Sequence, residues 1–156
     1  MNNNSSRPKN IIIGLLLLIL IGSLFYFMMD QLKRWATYVA FAKDIKITVE
    51  LTQNDATQYQ GLSDRKSLCQ TCGMLFVWPD HEVRHFVMRN MNFPLDIIFI
   101  SDNKVVKIES NLLSEGSSPQ NTYSSDVPVN YVLEINGGLT DRYGIGVGDE
   151  VTVNLP

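Results

Sequence analysis

Nineteen consecutive residues near the start of the chain, Ile11–Met29 (IIIGLLLLILIGSLFYFMM), carry no charge. A surface helix of a soluble domain keeps one polar face, and this run has none. At about 1.5 Å per residue it approaches the ~30 Å hydrocarbon thickness of a bilayer. The chain therefore reads as a short polar head over residues 1–10, a membrane-spanning helix over 11–29, and a domain over 44–156. The aromatics Trp35, Tyr38 and Phe41 suggest interfacial anchoring, with the helix running on to about residue 42. A cleaved signal peptide is the competing reading. The small-residue candidate site Ala40-Phe41-Ala42 lies well beyond the apolar run, which favours an uncleaved signal anchor. Arg7 and Lys9 before the span nearly balance Lys33 and Arg34 after it. The short basic head makes N-in, C-out the default, with the C-terminal domain extracytoplasmic.

Residues 44–156 hold eight Lys and Arg against fifteen Asp and Glu, a balance of −7. Phosphate backbones call for a basic stripe, so nucleic acid is not an expected partner. A domain of this length buries one modest core.

Period-2 alternation in Ile45–Leu51 (IKITVEL) marks a half-buried strand. Asn54 is placed to cap a short helix reaching Gly61, with Asp55 at its positive end. Met74–Trp78 (MLFVW) reads as a buried strand ending at Pro79. "DIIFIS" and "KVVKIES" flank Asp102-Asn103, a hairpin signal. The Ser-, Asn- and Pro-rich stretch from Leu113 to Val127 reads as a long loop. Tyr131–Ile135 returns to strand, Gly137-Gly138 opens a short helical piece through Arg142, and a last strand follows Gly148. Seven short strands, one short helix and no βαβ rhythm give a fold that is mainly β with minor α. A small compact β-barrel-like or sandwich domain is expected behind the transmembrane helix.

Residues 81–85 spell HEVRH, a literal match to the zinc-protease signature, and contain both histidines of the chain. Zinc chemistry needs His81 and His85 on one helical face with the intervening Glu polarising a bound water. A helix is compatible with the neighbouring apolar spacing, and so is a strand. In a strand the two imidazoles stand about 13 Å apart and cannot share one ion.

The stretches Gly73-Met74-Leu75-Phe76, Phe86-x-Met88-Arg89-Asn90, Pro94-Leu95-Asp96 and Tyr131-Val132-Leu133-Glu134 occur in an order that resembles the DUF192 (UPF0127) family. Arg142-x-Gly144-Ile145-x-x-Gly148-Asp149 completes the pattern, and the likeness runs from about Ile45 to Val153. The resemblance implies a small β-rich domain, often behind a signal or anchor segment, with no biochemical activity assigned. It also implies an extended chain around Phe86, with no histidines at 81 and 85 in the pattern. The chain departs from the pattern at Thr57 and Gln58, where the family tends to carry an acidic–basic pair. It departs again at Ser63, where methionine is usual.

The polar residues inside the resemblance are the candidate ligand-binding residues: Arg89, Asn90, Asp96, Tyr123, Ser124, Ser125 and Glu134. A charge flanked by Met and Phe needs a partner, so an Arg89–Asp96 or Arg89–Glu134 pair is expected. A purely structural role, satisfying one another and holding turns, explains the same residues. Cys69 and Cys72 are the only cysteines. Their C-x-x-C spacing fits a redox centre, half a zinc site or a short disulfide, and in an exported domain the disulfide is favoured. No cofactor signature is read. The leading functional reading is a non-enzymatic, membrane-anchored extracytoplasmic module binding a small molecule, a wall component or a partner protein. The alternatives are an accessory subunit of a membrane complex, and an enzyme: a hydrolase using Arg89, Asn90 and Asp96, or a metal-dependent one using Cys69 and Cys72 with His81 and His85.

Overall fold

The computed structural model describes residues 7–34, 37–42 and 44–155. They fall into two units, Met1–Ala36 and Thr37–Pro156, each described by itself. The first is one helix, α1 (Arg7–Arg34). Over Ile11–Met28 it is long and apolar enough to cross a bilayer, with none of that stretch buried. The hydroxyl of Ser23 donates to the Leu20 carbonyl at 2.8 Å, so this hydroxyl is satisfied within the helix.

The helix does not continue to residue 42. Tyr38–Phe41 is a strand, β1, and Val39 and Phe41 are core residues of the second unit. The alternation Tyr-Val-Ala-Phe suits a strand better than a helix, and β1 is paired on both sides, with β2 and β9. Trp35 lies outside the described residues.

The other elements are β2 (Ile45–Thr52), α2 (Asp55–Gln60), β3 (Cys72–Glu82), β4 (His85–Phe86), β5 (Leu95–Ser101), β6 (Lys104–Leu112), β7 (Tyr123–Ser124), β8 (Val129–Asn136), α3 (Leu139–Tyr143) and β9 (Val151–Asn154). Seven strands form one sheet in the order β6-β5-β8-β3-β2-β1-β9, and β4 pairs with β7 in a small ribbon. The sheet curls until its outer strands meet. Lys104 bridges Glu150, the Val105 amide donates to the Asp149 carbonyl at 3.0 Å, and the Val151 amide donates to the Asn103 carbonyl at 2.8 Å. The fold is thus mostly β, as expected, and barrel-like.

β2 and β3 run parallel, with α2 in the connection. The sequence shows no βαβ rhythm because this crossover helix is only six residues long and is followed by an irregular stretch. Its start is legible: Asn54 Oδ1 accepts from the Thr57 amide at 3.0 Å. β3 does not stop at Pro79. A proline lacks a donor, and the β3–β8 ladder skips from Val77 to Glu82 before pairing resumes, so the strand passes the proline through an irregularity.

Side-chain alternation builds two cores. Every strand of the large sheet contributes to one inside the curl, with Ile47, Leu75, Ile98, Leu133 and Ile135 at its centre. Met74, Phe76, Leu95, Ile97, Phe99 and Val132 point to the opposite face and are covered by Leu62, Met88 and Met91. β5 is buried on both faces, which explains its unbroken apolar run.

Candidate functional site

The second core is incompletely covered. Between α2 and the outer faces of β3 and β8 lies a cavity of about 270 Å³, entered beside Tyr59, Val87 and Arg89. Three rings shape its wall. Phe76 and Phe86 meet edge to face with centroids 4.8 Å apart, and Trp78 stands 6.1 Å from Phe76. The Trp78 indole N–H donates to Gln58 Oε1 at 3.1 Å and ties the strand to the helix.

Glu134 lines the same cavity. On β8 the period of two sets Val132 and Glu134 on the outer face and Leu133 and Ile135 on the inner one. A carboxyl thus occupies a place that the pattern reserves for an apolar side chain. It is 5 % exposed, and among the described residues its Oε2 has no hydrogen-bond partner. Gly61, the C-terminal cap of α2, lies over it: a Cβ there would stand 3.7 Å from Oε2 and 3.4 Å from the Phe76 ring. Burial pushes the Glu134 carboxyl up to about 8, against a smaller opposing pull from the Arg65 guanidinium. Arg65 itself is engaged elsewhere, bidentate on Glu50 at 2.6 and 2.7 Å. Near neutral pH Glu134 is a neutral acid able to donate one hydrogen bond and accept another.

Two arginines flank the rings. Arg84 lies over Trp78, its carbon 4.4 Å from the ring centre, and pairs with Asp80 and Glu82. Among the described residues its buried Nε has no hydrogen-bond partner. Arg89 stacks on Tyr59 at 3.9 Å and donates from Nη2 to the Tyr59 carbonyl at 2.7 Å. Among the described residues no carboxylate pairs with it.

The expected Arg89–Asp96 and Arg89–Glu134 pairs are not formed. Asp96 shares the inner face of β5 with Ile98, whereas Arg89 sits on the outer side. Asp96 Oδ1 accepts from the amides of Asn111 and Gly138 at 2.7 and 2.8 Å, and Oδ2 from the Thr140 amide and hydroxyl, both at 2.7 Å. It anchors the start of α3. Asn90 holds a left-handed turn (φ 51°), where its carbonyl accepts from the Asp64 amide and its amide donates to Gly116. Tyr123 donates to Glu115 at 3.0 Å and pairs in β7 with Phe86. The Ser124 carbonyl accepts from Lys107, and the Ser125 hydroxyl accepts from the Arg84 amide and donates to Val127. Of the sequence candidates, then, Arg89 and Glu134 meet at one cavity. The others make their hydrogen bonds elsewhere, Tyr123 to the Glu115 carboxylate and the rest to or through backbone.

His81 and His85 are on separate extended segments, β3 and β4. His81 Nε2 lies 3.0 Å from Asp102, and His85 pairs in the ladder with Ser124. The helix that the metalloprotease geometry requires is not formed. Cys69 and Cys72 are joined by a disulfide, which leaves neither sulfur as a metal ligand.

In the sequence Phe76, Trp78 and Phe86 stand only in strand and family stretches and Gly61 only at a helix end, with no mark of a site. The signal was the pairing of Phe76 and Trp78 at i, i+2 with a carboxylate inside an otherwise apolar strand.

The model of the family described as DUF192, an uncharacterised group, matches residues 38–153. The chain belongs to the DUF192 family. Its fold is similar to that of a Sinorhizobium meliloti protein described as a candidate transcription regulator. The two are 31 % identical with a TM-score of 0.68, over 75 % of this chain and 91 % of that one. It is similar also to a Novosphingobium aromaticivorans protein of unknown function. That pair is 35 % identical with a TM-score of 0.67, over 75 % of this chain and 83 % of the other. No curated protein matches the chain.

Proposed function

We propose that this DUF192 protein is a membrane-anchored, extracytoplasmic binding module that holds a small molecule in the cavity beneath α2. One observation carries the reading: a buried carboxyl oxygen, Glu134 Oε2, faces that cavity without a partner. Leaving such a group unsatisfied costs about 1–3 kcal/mol. A ligand hydrogen bond at that point recovers the cost, whereas a leucine would have served the core better. Aromatic walls with a few convergent polar groups are the general character of small-molecule sites.

The anchor rests on the apolar α1 and the location on the short basic head and the disulfide, a bond favoured in oxidising compartments. The description of the S. meliloti relative does not carry a nucleic-acid role here, because the folded unit is strongly acidic. The test is a thermal-shift screen of the full chain in nanodiscs against a broad metabolite panel. A true ligand raises Tm saturably. The rise must vanish in Val87→Trp, which plugs the entrance from a rim position 38 % exposed. Stabilisation that survives the plug, or none at all across the panel, sinks the reading.

A further inference from the structure

We propose that the cavity takes an amphipathic organic monoanion, its carboxylate held by Arg89 and its aromatic or apolar body against Phe76, Trp78, Phe86 and Met91. This rests on the cavity being a binding site, and adds the class of ligand.

Arg89 is the reason for the anion. A guanidinium carries five N–H donors, and Arg89 spends one on the Tyr59 carbonyl. Stacking on Tyr59 fixes the plane of the group and leaves its edge for a planar, bidentate acceptor. Arg84, the other cation lining the cavity, is paired with Asp80 and Glu82. Arg65, which pulls on Glu134, is paired with Glu50. Among the described residues Arg89 lines the cavity with no carboxylate on it.

Glu134 does not oppose an anion, because burial keeps its carboxyl neutral near pH 7. It supplies a hydrogen bond to a neutral acceptor on the ligand body. A ligand ammonium would instead face two cations, Arg84 and Arg89, that line the same cavity. The volume, about 270 Å³, lies just under the usual range for ligand sites of roughly 300–1,000 Å³. One ring with a short acidic arm fits it, and an oligomer does not.

Three probes share one ring with a para-methoxy oxygen as the neutral acceptor for Glu134, and differ in charge: 4-methoxyphenylacetate, 4-methoxyphenylacetamide and 4-methoxyphenethylamine. Each is titrated calorimetrically near neutral pH into the full chain in nanodiscs, with empty nanodiscs as the blank. The carboxylate is expected to bind at least about tenfold more tightly than the amide, and the amine to give no saturable heat. In Arg89→Gln, carboxylate binding falls by about tenfold or more while amide binding holds within about threefold, which shows that the cavity is still formed. Arg89→Lys recovers part of the loss. The proposal is overturned if the amine binds best, if all three bind alike, if Arg89→Gln changes nothing, or if none binds. Should none bind while some other compound stabilises the protein in a manner lost in Val87→Trp, the ligand class falls and the binding role stands. If nothing in either experiment binds, both fall.

Discussion

Asp96 Oδ2 accepts two hydrogen bonds from Thr140, one from its amide and one from its hydroxyl, each 2.7 Å long. With Asn111 and Gly138 on Oδ1, one buried carboxylate joins β5, β6 and the start of α3. Asp96→Ala leaves the amides of Asn111, Gly138 and Thr140 without this acceptor, at about 1–3 kcal/mol for a fully buried one such as that of Thr140. The expected outcome is a loss of stability of several kcal/mol with α3 loosened first. Hydrogen exchange at Thr140 and Ile145 reads the local effect. Protection that stays at the wild-type level rejects the anchoring role.

Glu134 gives the protein a pH dependence of unusual sign for a carboxylate. Its carboxyl titrates near 4.5 when unfolded and about 8 when folded, so the folded state holds the extra proton between those values. The stability tied to this group is fully present below about pH 4.5, declines as pH rises, and levels off above about pH 8. The slope in that window is about 1.4 kcal/mol per pH unit. Glu134→Gln keeps the shape and removes the proton, so its Tm must exceed that of the wild type at pH 8 and show no such slope. Parallel Tm–pH curves for the two proteins refute the assignment.

Glu115 shows the opposite sense, in a surface loop. Asn121 donates to it from its amide and side chain, Gln120 from its amide and Tyr123 from its hydroxyl. These donors, those of Asn121 foremost, hold the carboxyl down to about 2. The loop order it provides is present above about pH 4.5 and is lost as pH falls through about 2. Replacing it, Glu115→Ala, should speed amide exchange at Gln120 and Asn121 at neutral pH, leaving the core amides of β5 and β8 unchanged. Equal rates in both proteins would mean that the loop is held by other contacts.

The sequence carried most of the strands because their alternation is strong: Ile45–Leu51, the 102–103 hairpin and Tyr131–Ile135 each have a face to bury. It misplaced Tyr38–Phe41, where four residues next to an apolar helix are too few to show a period. It also ended β3 at Pro79, since a missing donor looks the same whether a strand stops or skips. The site was half legible. Arg89 and Glu134 are polar residues among apolar neighbours, and the sequence names both. The partition of Asp96 to the other face depends on which side of β5 meets α3, a tertiary fact with no local signature. Gly61 and Trp78 join the site only through the packing of α2 on β3.

The disulfide offers a further measurable consequence. Cys69 lies in an exposed stretch and Cys72 opens β3, while Asn136 donates to the carbonyls of both Leu68 and Cys69 at 3.1 and 3.0 Å. The bond closes a ring of only four residues, for which chain entropy gives about 2 kcal/mol. Leu68 packs on the second core, so the ring steadies one wall of the covering that also includes Leu62. Cys69→Ser with Cys72→Ser should therefore lower Tm by several degrees yet leave the fold intact, since β3 keeps its ladders to β2 and β8. Binding at the cavity should weaken only modestly, because neither Arg89 nor Glu134 bonds to this segment. Unfolding of the double variant at room temperature would show instead that the bond holds β3 in the sheet.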